Sequence, residues 1–267
     1  MIRAWQTQLL LATGLLGLAH LTATPSSDDA RAALRDVVRP FLLPSLWARL
    51  DAASRAGDPG EMLAAGRAVS GLMPGWTDGT VHFAWICAFE LAREHPGRDA
   101  LADLLLAVDW LREAAEERAA AGDAEAAAEL WMAAATFVDH AAADQDLAAR
   151  IRTDLEVDPS VMSRDLVACA AATAPGDATE SRLAFATVRL IAGAVRMDDL
   201  DRASATIDVA KTALRPFAQR EDAGAALAAL DRLRPMRDYR EDPAALDELA
   251  KDPMLSELAE ALRAMRR

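Results

Sequence analysis

The chain is punctuated at its helix ends. Asp58-Pro59, Asp158-Pro159, Asp242-Pro243 and Asp252-Pro253 each stand in front of an apolar pattern of helical period. An Asp in that place accepts hydrogen bonds from the free N–H groups of a first turn, and Pro, which has no N–H to leave unpaired, suits the first helical position. All four pairs are therefore expected as helix starts. Asp58 with Glu61, and Asp177 with Glu180, add capping-box spacing, with Asp in place of the usual Ser or Thr. Pro74-Gly75, Pro96-Gly97 and Pro175-Gly176 are expected as stops. Between these marks, Leu101, Leu104, Leu105, Val108, Leu111 and Ala115 fall on one helical face, with Asp103, Arg112, Glu113 and Glu116 elsewhere on the same helix. Leu255, Leu258, Leu262 and Met265 repeat the pattern at the C-terminus. Val81–Leu91 is apolar all round and is expected to be a central helix.

Composition agrees. Alanine and leucine dominate, tyrosine occurs once, and no run reads as a strand, so the fold class is expected to be all-α. The formal charge is −13 over 267 residues, and Arg3 is the single charged side chain of residues 1–24, so the body carries −14. That surface repels phosphate backbones, which argues against a nucleic-acid partner. Cys87 and Cys169 lie in apolar helical stretches and are expected as core residues; pairing in an oxidising compartment is the alternative.

Three segments share a turn followed by small or apolar residues at one spacing. Gly57-Asp58 leads to Met62, Gly66, Val69 and Pro74; Gly122-Asp123 leads to Ala127, Trp131 and Ala134; Met197-Asp198 leads to Leu200, Ala203, Ile207 and Ala210. This resembles the second helix of a tetratricopeptide repeat, in which small residues let the two helices of a hairpin approach closely and a large residue fills the adjoining groove. Trp47, Leu50 and Ala53, and then Leu111 and Ala115, approximate the first-helix pattern of that family. The units start about 65 and 76 residues apart, so an array must include degenerate intervening hairpins. The resemblance covers about residues 40–216. It implies a stack of antiparallel hairpins whose superhelix presents a groove to a protein or peptide; an irregular helical bundle is the alternative.

Residues 1–24 form a different kind of segment. Leu9–Ala23 is an apolar run of fifteen residues, with Met1–Gln8 before it and the polar stretch Thr24-Pro25-Ser26-Ser27-Asp28-Asp29 after it. Leu21-Thr22-Ala23 places Leu where a cleavable signal needs a small residue, which favours an uncleaved membrane anchor over a cleaved signal or a buried helix. The expected organisation is an anchor or signal over residues 1–24, a linker and short first helix over residues 25–39, and a helical domain over residues 40–267. An anchored protein with an exported body follows. Cleavage would make it secreted or periplasmic, and burial of the segment would make it cytoplasmic.

Local signatures of chemistry are missing. His20, His82, His95 and His140 fall in no Glu-x-x-His, His-Glu-x-x-His or His-x₃-His spacing, and no metal is expected. Asp198-Asp199-Leu200-Asp201 could hold magnesium, but its place in a predicted hairpin turn suits carboxylates that complement a helix dipole. No nucleophile elbow, phosphate-binding glycine loop or Cys-x-x-Cys occurs, so neither a catalytic residue nor a cofactor is assigned. Trp47, Trp85, Trp110 and Trp131 lie inside helical patterns and are expected in the core. Trp76, in the Pro74–Gly79 loop, is the candidate interaction residue, with folding back as a plug over the hairpin end as the alternative. The expected function is a non-catalytic, membrane-tethered interaction or scaffold protein; an all-α enzyme or small-ligand protein with a site assembled from distant residues is the alternative.

Overall fold

The computed structural model describes residues 28–73, 75–253 and 255–265, and all regular structure among them is helical. The N-terminal apolar run lies outside the described residues. None of the described helices is long and apolar enough to cross a membrane. Two compact units divide at Phe83 and Ala84.

The first unit holds α1 (Asp28–Ala56), α2 (Pro59–Leu72) and most of α3 (Thr77–Trp85). Residues 28–39, expected as linker and short helix, are instead the first part of the 29-residue α1. Pro40 and Pro44 lie inside α1, where each withholds one backbone donor without ending the helix. Leu50 and Ala53 of α1 pack toward Met62, Leu63, Ala65 and Val69 of α2, all buried.

In the second unit the end of α3 runs through a π-helical turn (Ile86–Glu90) into α4 (Leu91–Glu94). This stretch is less enclosed than its composition predicts: Ala84, Cys87, Ala88 and Leu91 are buried, whereas Trp85, Ile86 and Phe89 are half-buried. There follow α5 (Ala100–Ala120), α6 (Ala124–Ala143), α7 (Gln145–Asp154), α8 (Pro159–Thr173), α9 (Asp177–Arg196) and α10 (Leu200–Leu214). A 3₁₀ turn (Arg215–Phe217) leads to α11 (Glu221–Asp231), α12 (Met236–Glu241), α13 (Pro243–Leu249) and α14 (Ser256–Ala264). Ile191 and Val195 of α9, Ala203, Ala210 and Leu214 of α10, Leu230 of α11 and Leu258 and Leu262 of α14 share one core.

Three turns join packed helices by the same hydrogen bonds. In each, a residue with positive φ ends one helix, its N–H bonds three residues back, and the next N–H bonds five back. Gly57 (φ 66°), Gly122 (φ 82°) and Asp198 (φ 60°) take the first place. The bonds are Gly57 to Ser54 and Asp58 to Ala53, Gly122 to Ala119 and Asp123 to Arg118, and Asp198 to Val195 and Asp199 to Ala194, all within 2.9–3.1 Å. The second residue is always Asp, and it caps the next helix by accepting from Glu61, Ala126 or Arg202 N–H. The third turn is therefore Asp198-Asp199, one residue later than the Met197-Asp198 expected. Asp tolerates the left-handed conformation better than most side chains, so it replaces the glycine. Counting from the capping Asp, the fourth residues Met62, Ala127 and Ala203 and the eleventh residues Val69, Ala134 and Ala210 are all fully buried.

Three of the four Asp-Pro pairs begin helices, with Asp58, Asp158 and Asp242 accepting first-turn N–H groups. Asp252-Pro253 does not. Arg232 engages the Asp252 carboxylate, and α14 begins at Ser256 without a side-chain cap. Asp177 is the first residue of α9 rather than its cap, which is Gly176. The expected stops stand where helices end, at Leu72, Glu94 and Thr173.

Candidate functional site

Trp76 is half-buried in the first unit. Its ring centroid lies 5.7 Å from that of Trp47 and 5.6 Å from that of Phe83, and those two are 5.4 Å apart. A methyl group added to Gly79 would meet the Trp76 ring at 2.3 Å, so glycine at the start of α3 is what lets the indole fold down. Trp47, expected in the core, keeps 37% of its surface exposed because it stands at the edge of this cluster.

The second unit carries a connected ionic site. Asp158 caps α8 by accepting the Ser160 N–H at 3.0 Å and the Ser160 hydroxyl at 2.7 Å. Its carboxylate is buried and takes two bonds from Arg196 at the end of α9, Nε to Oδ2 at 2.8 Å and Nη2 to Oδ1 at 2.9 Å. Burial opposes ionisation of Asp158, but the bonds and charge of Arg196, with the Ser160 contacts, outweigh it and hold the carboxyl below its ordinary range. Arg196 in turn donates to Glu257 of α14 at 2.9 Å, and its own pKa is raised: burial opposes its charge, and Asp158 and Glu257 overcome that. Arg189, about two turns earlier on α9, stands 2.7 Å from Asp139 and 3.8 Å from Glu257. Close approach of α8 and α9 depends on Gly193, where a Cβ would stand 2.1 Å from Ser160 Oγ.

Arg189, Arg196, Asp139 and Glu257 of this site line an open groove of about 960 Å³. Its wall carries both signs of charge, with Arg152, Arg189 and Arg196 facing the same space as Asp139, Asp146, Glu257 and Glu260. Arg152 is the least committed of the three arginines: its acidic neighbour Asp158 is 3.8 Å away, beyond hydrogen-bond range, and 27% of its side chain is open to solvent. A guanidinium so placed can take a carboxylate from outside in two parallel bonds. The sequence treated Asp158 only as a cap, because its partner is 38 residues away.

A second buried ion pair sits near Cys87. Asp103, which the sequence places off the apolar face of α5, is buried and accepts Arg98 Nε at 2.8 Å. Burial pushes the Cys87 thiol up to about 12, with Asp103 adding to the effect and Arg98 opposing it. Both cysteines are free; Cys169 is exposed rather than in the core, because it falls on the outer face of α8. On the surface, Arg150 of α7 grips Asp99, the cap of α5, and with the first-turn N–H groups lowers its carboxyl to about 2.

His95 ends α4, and His140 of α6 packs on Trp85 and Phe89 with centroids 4.8 and 4.7 Å away. Asp198 and Asp199 are committed to the third turn, and Asp201 pairs with Arg237 at 2.9 Å. Among the described residues, no group of three or more His, Cys, Asp or Glu side chains could hold a metal ion. Comparison with family models, with curated proteins and with solved structures found no match.

Proposed function

We propose that this chain is a non-catalytic interaction protein, tethered to a membrane by residues 1–24, whose hairpins stack as an array like that of tetratricopeptide repeats and whose charged groove holds a peptide segment of a partner protein. The observation that carries the reading is the groove wall itself, where Arg152 keeps guanidinium donors free beside Arg189 and Arg196, which are fixed by their own carboxylates. Side chains locked in this way recognise without reorganising, which lowers the entropic cost of binding. The repeated turns, each followed by a small or narrow residue at full burial, support the array. The apolar run of residues 9–23 and its poor cleavage site support the tether, with the body on the exported side.

The test is affinity capture from detergent-solubilised membranes with the full chain and with Arg152→Glu. A partner held by the wild type should be lost at least tenfold from the variant; because the charge reversal places a carboxylate near the buried Asp158, thermal unfolding must also show the variant folded at the temperature of capture. Equal capture by both, or nothing held by either, counts against the groove.

A second reading, a small-ligand protein, is favoured by a separate cavity of about 880 Å³ beside Tyr239, Arg232 and Lys251. The buried Tyr239 hydroxyl accepts the Arg234 N–H at 3.1 Å. Native mass spectrometry of the purified protein distinguishes it, since a retained small molecule adds a discrete mass.

A further inference from the structure

The middle of α1 is apolar on the side turned away from its own hairpin. From Pro40 to Ala48 there are nine residues without a charge, bracketed by Arg39 and Arg49. Leu43 and Leu46 are half-buried on the inner side, in line with the buried Leu50 and Ala53. On the outer side Val37, Phe41, Pro44 and Ala48, spaced as successive members of one helical stripe, are all exposed, and Leu42 stands beside them. Val37, Phe41 and Leu42 keep 45%, 58% and 45% of their surface. One exposed apolar side chain is ordinary, whereas a contiguous stripe marks a surface that meets something other than water.

We propose that this stripe rests on the lipid surface, so that α1 lies along the membrane as a second, interfacial element of attachment. The inference rests on the tether reading above and adds to it. Residues 24–27 separate the apolar run from the start of α1, and four residues span at most about 14 Å when extended. The first turn of α1 is then held close to the bilayer, and Phe41 is about 20 Å along the helix from it. A helix so placed either stands away from the surface or lies along it, and the stripe favours lying.

Lipid fits better than an acidic or basic protein, because the stripe itself offers no charge. The bracketing bases are already engaged by their own hairpin: Arg39 Nε donates to the Leu72 carbonyl at 3.2 Å, and Arg49 pairs with Glu61. They need no lipid phosphate, and a chain of charge −13 gains nothing from an anionic surface. Pro40 and Pro44 deprive the carbonyls four residues before them of intrahelical donors, which suits the hydrated boundary of a bilayer rather than its hydrocarbon centre. Trp47, next to the stripe and partly exposed, is the residue type that favours this boundary.

The experiment uses the full chain carrying Cys169→Ser, reconstituted with phosphatidylcholine vesicles, with an environment-sensitive fluorophore attached at Val37→Cys, at Phe41→Cys or, as control, at Asp208→Cys on the exposed face of α10. Cys87 is buried and stays unlabelled. Circular dichroism checks that each variant is folded, and two independent stripe positions guard against the loss of one. The expected result is that the protein floats with the vesicles, that the labels at 37 and 41 emit to the blue of the label at 208, and that nitroxide-bearing lipids quench them several-fold more strongly. Flotation with all three labels in water overturns the interfacial helix and leaves the tether standing. Absence of flotation overturns both. Blue emission at 37 and 41 that lipid-borne quenchers leave untouched means that a second copy of the chain covers the stripe, which also overturns the proposal.

Discussion

Arg196 closes over the buried carboxylate of Asp158 with two parallel bonds, Nε to Oδ2 at 2.8 Å and Nη2 to Oδ1 at 2.9 Å, tying the end of α9 to the start of α8. Removing the guanidinium leaves the buried carboxylate with only the Ser160 contacts and the more distant Arg152, so Arg196→Ala should cost about 3 kcal/mol of stability. The sign of the pH dependence follows from the lowered folded pKa of Asp158. Its contribution is complete above the unfolded value of about 3.9 and is lost as pH falls through the lower folded value. Urea unfolding at neutral and strongly acid pH should show the gap between wild type and Arg196→Ala narrowing on acidification. A gap that is constant with pH would assign the effect to packing instead.

The three equivalent turns make a contrast. Gly122 has φ of 82° and open space around it, so Gly122→Ala tests backbone strain alone and should cost about 1–2 kcal/mol. At Asp198, with φ of 60°, Gly should be tolerated within about 0.5 kcal/mol, whereas Ala should cost about 1 kcal/mol. Thermal unfolding ranks the three variants. An Asp198→Ala protein as stable as wild type would mean that the third turn is not built like the other two.

The cysteines should differ sharply in reactivity. Cys169 is exposed, while Cys87 is buried with its thiol raised to about 12. Near pH 8, about the ordinary thiol pKa, a chromogenic disulfide reagent should titrate one thiol per native chain and two after unfolding. Two fast native thiols would contradict the packing around Cys87.

Gly79 and Trp76 should be energetically coupled. Because a methyl group at residue 79 meets the indole at 2.3 Å, Gly79→Ala should lift the ring off Trp47 and Phe83 and destabilise by about 1–3 kcal/mol. In a Trp76→Ala background the same change should cost much less. Equal costs in both backgrounds would place the indole elsewhere.

What the sequence revealed and what it hid have a common cause. Asp58, Asp123 and the small residues after them act within a few residues of their own helix, so local spacing discloses them, and the all-helical character follows. The third turn falls one residue later than its pattern suggests because Asp198 takes at positive φ the place that glycine holds in the other two. Asp103 falls off the apolar face of its helix and Asp158 stands at a helix start; the burial of both depends on partners, Arg98 across a turn and Arg196 on a later helix. Trp47 and Cys169 show the converse: an apolar residue in a helical pattern is buried only if something covers its face. The groove could not be foreseen, since it draws on helices from Asp139 to Glu257 that only folding brings together.

The most direct measurement is photo-crosslinking in native membranes. A photoreactive residue is placed at Ala142, in the groove wall, or at Asp208, on the exposed face of α10, in the otherwise intact chain. The account predicts a discrete crosslinked protein from position 142, absent from position 208 and abolished by Arg152→Glu. No adduct at 142, or the same pattern from both positions, would contradict a groove that holds a partner.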